Sequence, residues 1–445
     1  MVRRVVPDVY DEIELLPRPE LEALHRDLFA EQFGYVMAHS EFYRRKFGAA
    51  ARGVSTLDQL VDLPFTTKDE VRESLLARPP LGLHAAAPLE EIVQIQSSSG
   101  TTGMPTFVAA TAEDLETWNS MGARVFYANG FRPHDWVMHA YAMGRGFVGG
   151  LVNVEHLQHL GCCVIPLGAE AGTERLLRAI DHLQPVAMCG TPSMVSHLGA
   201  ATPGVLGKPA SELSVRKISV GGEPGAGEPA IRAQMEALWD ADVRDMMGGA
   251  DFGSTYWAEC DEKEGMHLCS QGALHVEIID PETLESLCIE EGTTGELVYT
   301  TLARRATPLI RYRMGDLVTV TAMGCVCGRT GYRIKTHGRT DDMLIVRGVN
   351  VFPAAIKEVV VGMRPRTTGY LKIDLDFPGH STPDPLKLRV EVAGEDTGAF
   401  AGLATEVEES INSVLSVRTV VSLVPDGAIE RPGTQKEKLV ERDAG

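Results

Sequence analysis

Apolar residues between positions 8 and 50 recur at helical spacing, with Leu21, Leu24, Leu28 and Phe29 on one face and Phe33, Val36 and Met37 continuing it. The stretch Leu63-Pro64-Phe65-Thr66-Thr67-Lys68-Asp69-Glu70 reads as a helix entry, because Thr67 precedes Glu70 by the spacing of a capping box. From residue 91 to about residue 225, short apolar runs alternate with helical stretches. Residues 91–96, 135–140, 164–166, 186–189 and 217–220 read as strands; residues 112–129, 173–182 and 229–239 read as helices. Such alternation predicts an α/β domain whose strands are buried on both faces. No internal repeat or low-complexity tract interrupts it. Gly and Ser/Thr turns recur at the strand ends, where sheets of this kind place ligands.

One of those turns dominates the chain: Ser97-Ser98-Ser99-Gly100-Thr101-Thr102-Gly103-Met104-Pro105-Thr106. Glycines let successive backbone N–H groups converge on one point, and hydroxyls add donors that fit phosphate oxygens. No Gly-Lys-Ser/Thr ends the run, so it is not the Walker loop. The composition also suits a linker, but the stretch lies between regular elements. A phosphate cradle is the expectation.

With 445 residues the chain is long enough for two or three domains and a sizeable core. A hydrophobic fraction of 44% with 23% charged residues fits a globular enzyme. The formal charge of -19 and pI near 5.2 argue against general binding of nucleic acid or anionic membranes, while leaving room for a local basic funnel. No apolar run reaches the roughly 18 residues of a membrane span. Met1-Val2-Arg3-Arg4 leads into proline and acids rather than a signal segment, so the cytoplasm is the expected compartment.

Eight cysteines in so long a chain do not make a disulfide framework. Cys162, Cys163, Cys189 and Cys288 sit in apolar stretches and are expected in the core. Cys260, His267, Cys325 and Cys327 differ, forming a Cys-x6-His and a Cys-x-Cys in polar, turn-rich segments. They would fill a tetrahedral zinc shell, with Cys269 as a substitute ligand; the alternative is plain surface thiols.

Further motifs close strands. Gly221-Gly222-Glu223-Pro224 leaves backbone free to approach a flat ring. Gly248, Gly249 and Asp251 offer a carboxylate after a flexible loop. Tyr312-Arg313-Met314-Gly315-Asp316 presents a second carboxylate, suited to accept from both ribose hydroxyls. Gly338-Arg339-Thr340-Asp341-Asp342-Met343 is a charged turn before a strand. Each alone is an ordinary turn; their order carries the information.

Together with residues 97–105 these motifs resemble those of the adenylate-forming acyl-CoA ligases. Leu63 to Lys68, Thr191-Pro192-Ser193, Pro308-Leu309-Ile310-Arg311-Tyr312-Arg313 and Arg347-Gly348-Val349-Asn350-Val351-Phe352-Pro353 resemble the phenylacetate–CoA ligase branch. The likeness runs from about residue 30 to the end. It implies a large N-terminal ATP- and acyl-binding domain, residues 1–338, with mixed sheets and flanking helices, and a small mobile α+β lid, residues 339–445. It implies ATP, Mg2+ and CoA as partners of a small carboxylic acid, a structural zinc on the Cys/His set, and a homodimer. No nucleic acid or membrane partner is expected.

By the resemblance, Ser97, Ser98, Ser99, Gly100, Thr101, Thr102 and Gly103 hold the β- and γ-phosphates, and Gly221, Gly222, Glu223 and Pro224 flank the nucleotide. Asp251 binds Mg2+, Asp316 the ribose, and Arg339 lies near ribose or phosphate. Asp341 is the hinge, and Lys436 bridges carboxylate and α-phosphate during adenylation. Tyr141, Met143, Gly144, Phe147 and Gly248 resemble the acyl-binding region, where Trp136 adds a flat surface and Arg145 or His156 meets a polar substituent. An aromatic or arylacetic acid is expected.

The chain departs from the family pattern at three points. Met104 stands where a lysine is usual. Asp251 replaces a glutamate, and Met247 an aromatic residue. The lid lysine normally lies four residues after an arginine, yet counting from Arg431 gives Gln435, leaving Lys436 or Lys438. These departures keep two alternatives open: adenylation with transfer to an amine or carrier protein, or activation of nitrite, and a non-catalytic nucleotide-binding relative.

Overall fold

The computed structural model describes residues 8–97, 106–144, 149–340, 342–347, 349–377, 379–431 and 437–442. Helices Arg18–His39 and Glu41–Phe47 are separated by Ser40, whose side chain caps the second by accepting from Tyr43 N. Phe29, Phe33, Tyr43 and Phe47 stack into a small core with Leu60, Leu63 and Ile310. The expected capping box opens helix Lys68–Ala77: Glu70 Oε2 accepts from Thr67 N at 2.9 Å, and Thr67 Oγ1 accepts from Glu70 N at 3.4 Å.

A twelve-stranded sheet organises the N-terminal domain. Its spatial order is Ser286–Leu287, Leu274–Ile279, Thr294–Thr301, Tyr312–Ala322, Arg333–Arg339, Met266–Leu268, Ser254–Glu259, Asp242–Gly249, Lys217–Gly221, Ala187–Gly190, Trp136–His139 and Cys163–Ile165. The last five strands pair in parallel, and the rest are antiparallel. The parallel half is buried on both faces, as its apolar runs require. Met138 and Met188 join one layer with helices Thr173–Leu183, Pro192–Leu206 and Pro229–Trp239, while Val137, Ala187 and Cys189 join another with Phe126, Phe131 and Leu157.

The smaller C-terminal domain has a four-stranded sheet ordered Thr419–Val424, Leu386–Val392, Thr367–Leu375 and Val440–Arg442. Strict alternation of burial along Thr367–Leu375 turns Leu371 and Ile373 toward helices Pro353–Val361 and Leu403–Leu415. Helix Pro353–Val361 also packs against helix Pro229–Trp239 and strand Arg333–Arg339 of the larger domain. No described helix is long and apolar enough to cross a membrane.

Two expectations are corrected. The strand expected over 91–96 begins later, at Gln94–Ser97, and pairs antiparallel with Phe107–Ala110 as a separate hairpin. Its alternation is inverted: Gln96 is 3% exposed and Ile95 50%. Cys163 and Cys288 are exposed, not core. Cys163 begins one edge strand of the large sheet, and Cys288 follows the strand at the opposite edge, so neither has a covering neighbour strand.

Candidate active site and metal centre

Strand Lys217–Gly221 ends where the backbone must pass its neighbour closely. A Cβ on Gly221 would stand 2.4 Å from Met246 O, and Gly222 turns with φ +89°. Two glycines are therefore required by the turn itself. The Tyr141 hydroxyl reaches Gly221 O at 3.5 Å from a fully packed position, and burial holds its phenol well above the usual range. Glu223, next in the chain, uses both carboxylate oxygens: Oε1 accepts from Ser193 N at 2.7 Å, and Oε2 from Glu437 N at 2.9 Å.

The neighbouring strand, Asp242–Gly249, leads to a single helical turn at Ala250–Phe252 that carries Asp251, only 8% exposed. Gly248 cannot bear a side chain without meeting Ser254 O at 2.6 Å. Buried Arg304 anchors this turn, donating from Nη1 to Asp251 O at 2.7 Å and from Nη2 to Thr307 Oγ1 at 2.9 Å. The Tyr312 phenol is raised by burial and then by the Asp251 charge and hydrogen bond; Tyr256 is raised by burial and then by Asp316 and Asp251. Both rings thus lie beside the acids. Arg304 and Tyr256 were not singled out from sequence; the one signal for Arg304 is a pair of arginines inside an otherwise apolar stretch.

Asp316 and Arg339 are register partners on adjacent antiparallel strands, with Arg339 Nη1 3.9 Å from Asp316 Oδ1. Gly315 turns with φ +84° and binds Thr340 N through its carbonyl at 2.7 Å. Asp251 thus follows the end of strand Asp242–Gly249 and the 221–222 turn ends the neighbouring strand, while Asp316 lies within strand Tyr312–Ala322 of the same sheet, opposite the last residue of Arg333–Arg339.

The expected acyl region is partly reorganised. Met143 N and Gly144 N both donate to the Glu170 carboxylate, each at 2.9 Å. Trp136 is 48% exposed at the start of its strand and builds no slot. His156 is fully buried over Gly122, with Nε2 3.3 Å from Ser254 Oγ, and burial lowers it to about 3. It is a neutral core histidine. Ser97 closes its strand opposite Phe107, whereas Ser98, Ser99, Gly100, Thr101, Thr102, Gly103, Arg145, Phe147, Asp341 and Lys436 lie outside the described residues.

Cys260, His267, Cys325 and Cys327 converge, with all ligand atoms within 4.8 Å of one another. Cys260 Sγ lies 3.7 Å from Cys325 Sγ, and Cys327 Sγ lies 3.6 Å from His267 Nε2. Zinc bonds of about 2.3 Å to sulfur and 2.0–2.1 Å to nitrogen give tetrahedral edges of about 3.7 and 3.6 Å. The donor set fits such an ion. Hydrogen bonding between Cys260 and Cys327 holds the Cys327 thiol far below its usual range and pushes Cys260 up. Arg329 Nη1 approaches Cys327 Sγ at 3.8 Å and pairs through Nε with buried Glu14 at 2.9 Å. Cys269 is buried and outside the cluster; its thiol points to His267 O at 3.6 Å.

Fold and site together define an adenylate-forming enzyme. The chain belongs to the AMP-binding enzyme family, which it matches over residues 44–302, with an AMP-binding enzyme C-terminal domain over residues 348–442. It is an AMP-forming acid–thiol ligase. It is 36% identical to a phenylacetate-coenzyme A ligase of Thermus thermophilus, over 86% of this chain and 84% of that one. A phenylacetate-coenzyme A ligase of Aromatoleum evansii is 33% identical over 99% and 98%. The crystal structure of 2-hydroxyisobutyryl-CoA ligase in its postadenylation state superposes with a TM-score of 0.89 at 27% identity, covering 99% of this chain and 94% of that one. In its thioesterification state the same enzyme gives 0.71 at 29% identity, with the same coverage.

Proposed function

We propose that the chain activates an aryl or arylacetic acid and transfers it to CoA. In the first half-reaction a carboxylate oxygen attacks the α-phosphorus of ATP, the α–β anhydride bond breaks, and pyrophosphate leaves. In the second, the CoA sulfur attacks the acyl carbon, the bond to the phosphate oxygen breaks, AMP leaves, and the thiol proton is released. The observation that carries this reading is that the charges of Asp251 and Asp316 both act on buried Tyr256, with Arg339 opposite Asp316, in the sheet whose strand Lys217–Gly221 ends in the forced Gly221–Gly222 turn. The acid class follows the names of the relatives at 36% and 33% identity.

In this reading the Gly221–Gly222 turn lies against the adenine and Asp316 accepts from the ribose hydroxyls. Arg339 balances that carboxylate and reaches toward the phosphates. Asp251, held by Arg304 and flanked by Tyr312, is the carboxylate for Mg2+, which would neutralise phosphate charge as pyrophosphate departs. Residues 97–103 cradle the outer phosphates, and Lys436 meets the carboxylate and α-phosphate. The lid begins after Gly338 and turns about Asp341. Its arrangement is closer to the postadenylation form of 2-hydroxyisobutyryl-CoA ligase than to the thioesterification form, with TM-scores of 0.89 and 0.71. Zinc on Cys260, His267, Cys325 and Cys327 ties two loops of the large domain and takes no part in the chemistry. Pyrophosphate release that requires an aryl or arylacetic acid, followed by acyl-CoA once CoA is added, tests the proposal.

A further inference from the structure

Glu223 stands in a motif that borders the nucleotide, yet its carboxylate is fully engaged elsewhere. One oxygen accepts from Ser193 N at 2.7 Å, in the first turn of helix Pro192–Leu206, where an acidic group is favoured by the helix end. The other accepts from Glu437 N at 2.9 Å, across the boundary between the two domains. Glu437 in turn pairs through its own carboxylate with Lys357 on helix Pro353–Val361, and that helix packs on Pro229–Trp239. Body and lid are thus joined through one side chain that leaves a forced glycine turn at the end of a central strand.

We propose that Glu223 is a positioning residue for adenylation, holding the lid segment that directly follows Lys436 against the strand end that carries the nucleotide turn. The inference rests on the reading of Lys436 as the lid lysine. Fixing the Glu437 amide fixes the chain one residue from that lysine. The contact joins groups on two bodies whose arrangement differs between half-reactions, so it serves the first half-reaction and must break for the second. The requirement is for two acceptor oxygens. Glutamine supplies one, and its amide nitrogen would face a second N–H.

The test compares the wild-type full-length protein with E223Q and E223A. Pyrophosphate release from ATP and phenylacetate should fall about tenfold or more in kcat, the loss expected of a charge-assisted bond. The KM for ATP should stay within about twofold, and thioester formation from supplied phenylacetyl-adenylate and CoA within about twofold. A rise in the ATP KM with kcat preserved would overturn the proposal by assigning the side chain to the nucleotide. Equal losses in both half-reactions would overturn it as a general structural defect. A readout independent of any substrate is amide exchange in a peptide spanning residues 430–442. Faster exchange by about tenfold or more in E223Q supports the latch, and unchanged exchange contradicts it. Wild-type protein that releases no pyrophosphate with any acid would refute the functional reading itself, whatever the exchange result.

Discussion

Asp316 and Arg339 face each other across adjacent strands, 3.9 Å between Oδ1 and Nη1, where strand Arg333–Arg339 ends. The guanidinium opposite the carboxylate stabilises its charge. Gly315, with φ +84°, turns its own carbonyl to accept from Thr340 N.

Replacing Asp316 by alanine should therefore raise the KM for ATP by about 10- to 100-fold, the range for hydrogen bonds to an ionised group. The melting temperature should fall by no more than a few degrees, because Asp316 is only partly buried. Steady-state kinetics with varied ATP checks this, and an unchanged KM would remove Asp316 from the ribose.

The Cys/His cluster yields a prediction about composition and stability. The purified protein should carry about one zinc per chain, and C325S should lose it. Because the cluster ties Cys260 and His267 to the loop at Cys325–Cys327, metal loss should lower the melting temperature by several degrees. Elemental analysis with a thermal scan before and after a chelator decides it. A metal-free protein with the same melting point would contradict the assignment.

Lid docking should depend on pH through Glu358. Its carboxyl, from an ordinary value of 4.5, is pushed up to about 7. Burial is the first cause and Glu228 the second; Lys335 and the Ala230 amide oppose them. Lys335 also pairs with Glu228 at 3.2 Å, and Lys357 on the same lid helix is taken by Glu437. Between pH 4.5 and about 7 the docked carboxyl retains a proton that the free one has released. The docked state therefore binds more protons, and its stability falls as pH rises through that window. E358Q should match wild type near pH 5 and melt a few degrees higher near pH 8. Parallel curves for the two proteins would refute the role of this carboxyl.

Much of this arrangement was legible in the chain where local chemistry decides structure. Thr67 and Glu70 announced a helix start, residues 229–239 began and ended as their periodicity required, and the four zinc-type ligands met although Cys260 and Cys325 are 65 positions apart. What escaped was decided at long range. The alternation around Ile95 was real, but periodicity alone does not say which face a sheet covers, and here the polar face is buried. Cys163 and Cys288 were exposed by falling at sheet edges, a property of strand order rather than composition. Arg304 reaches Asp251 across 53 positions, and Glu223 meets Glu437 across 214, so neither partnership left a local signature.

The most direct test of the central claim is pyrophosphate release over a panel of aryl and arylacetic acids with ATP and Mg2+, with and without CoA. Release should depend on one or a few of these acids, with AMP and the matching acyl-CoA mass appearing once CoA is present. Pyrophosphate that never leads to acyl-CoA, or none with any acid, would contradict it.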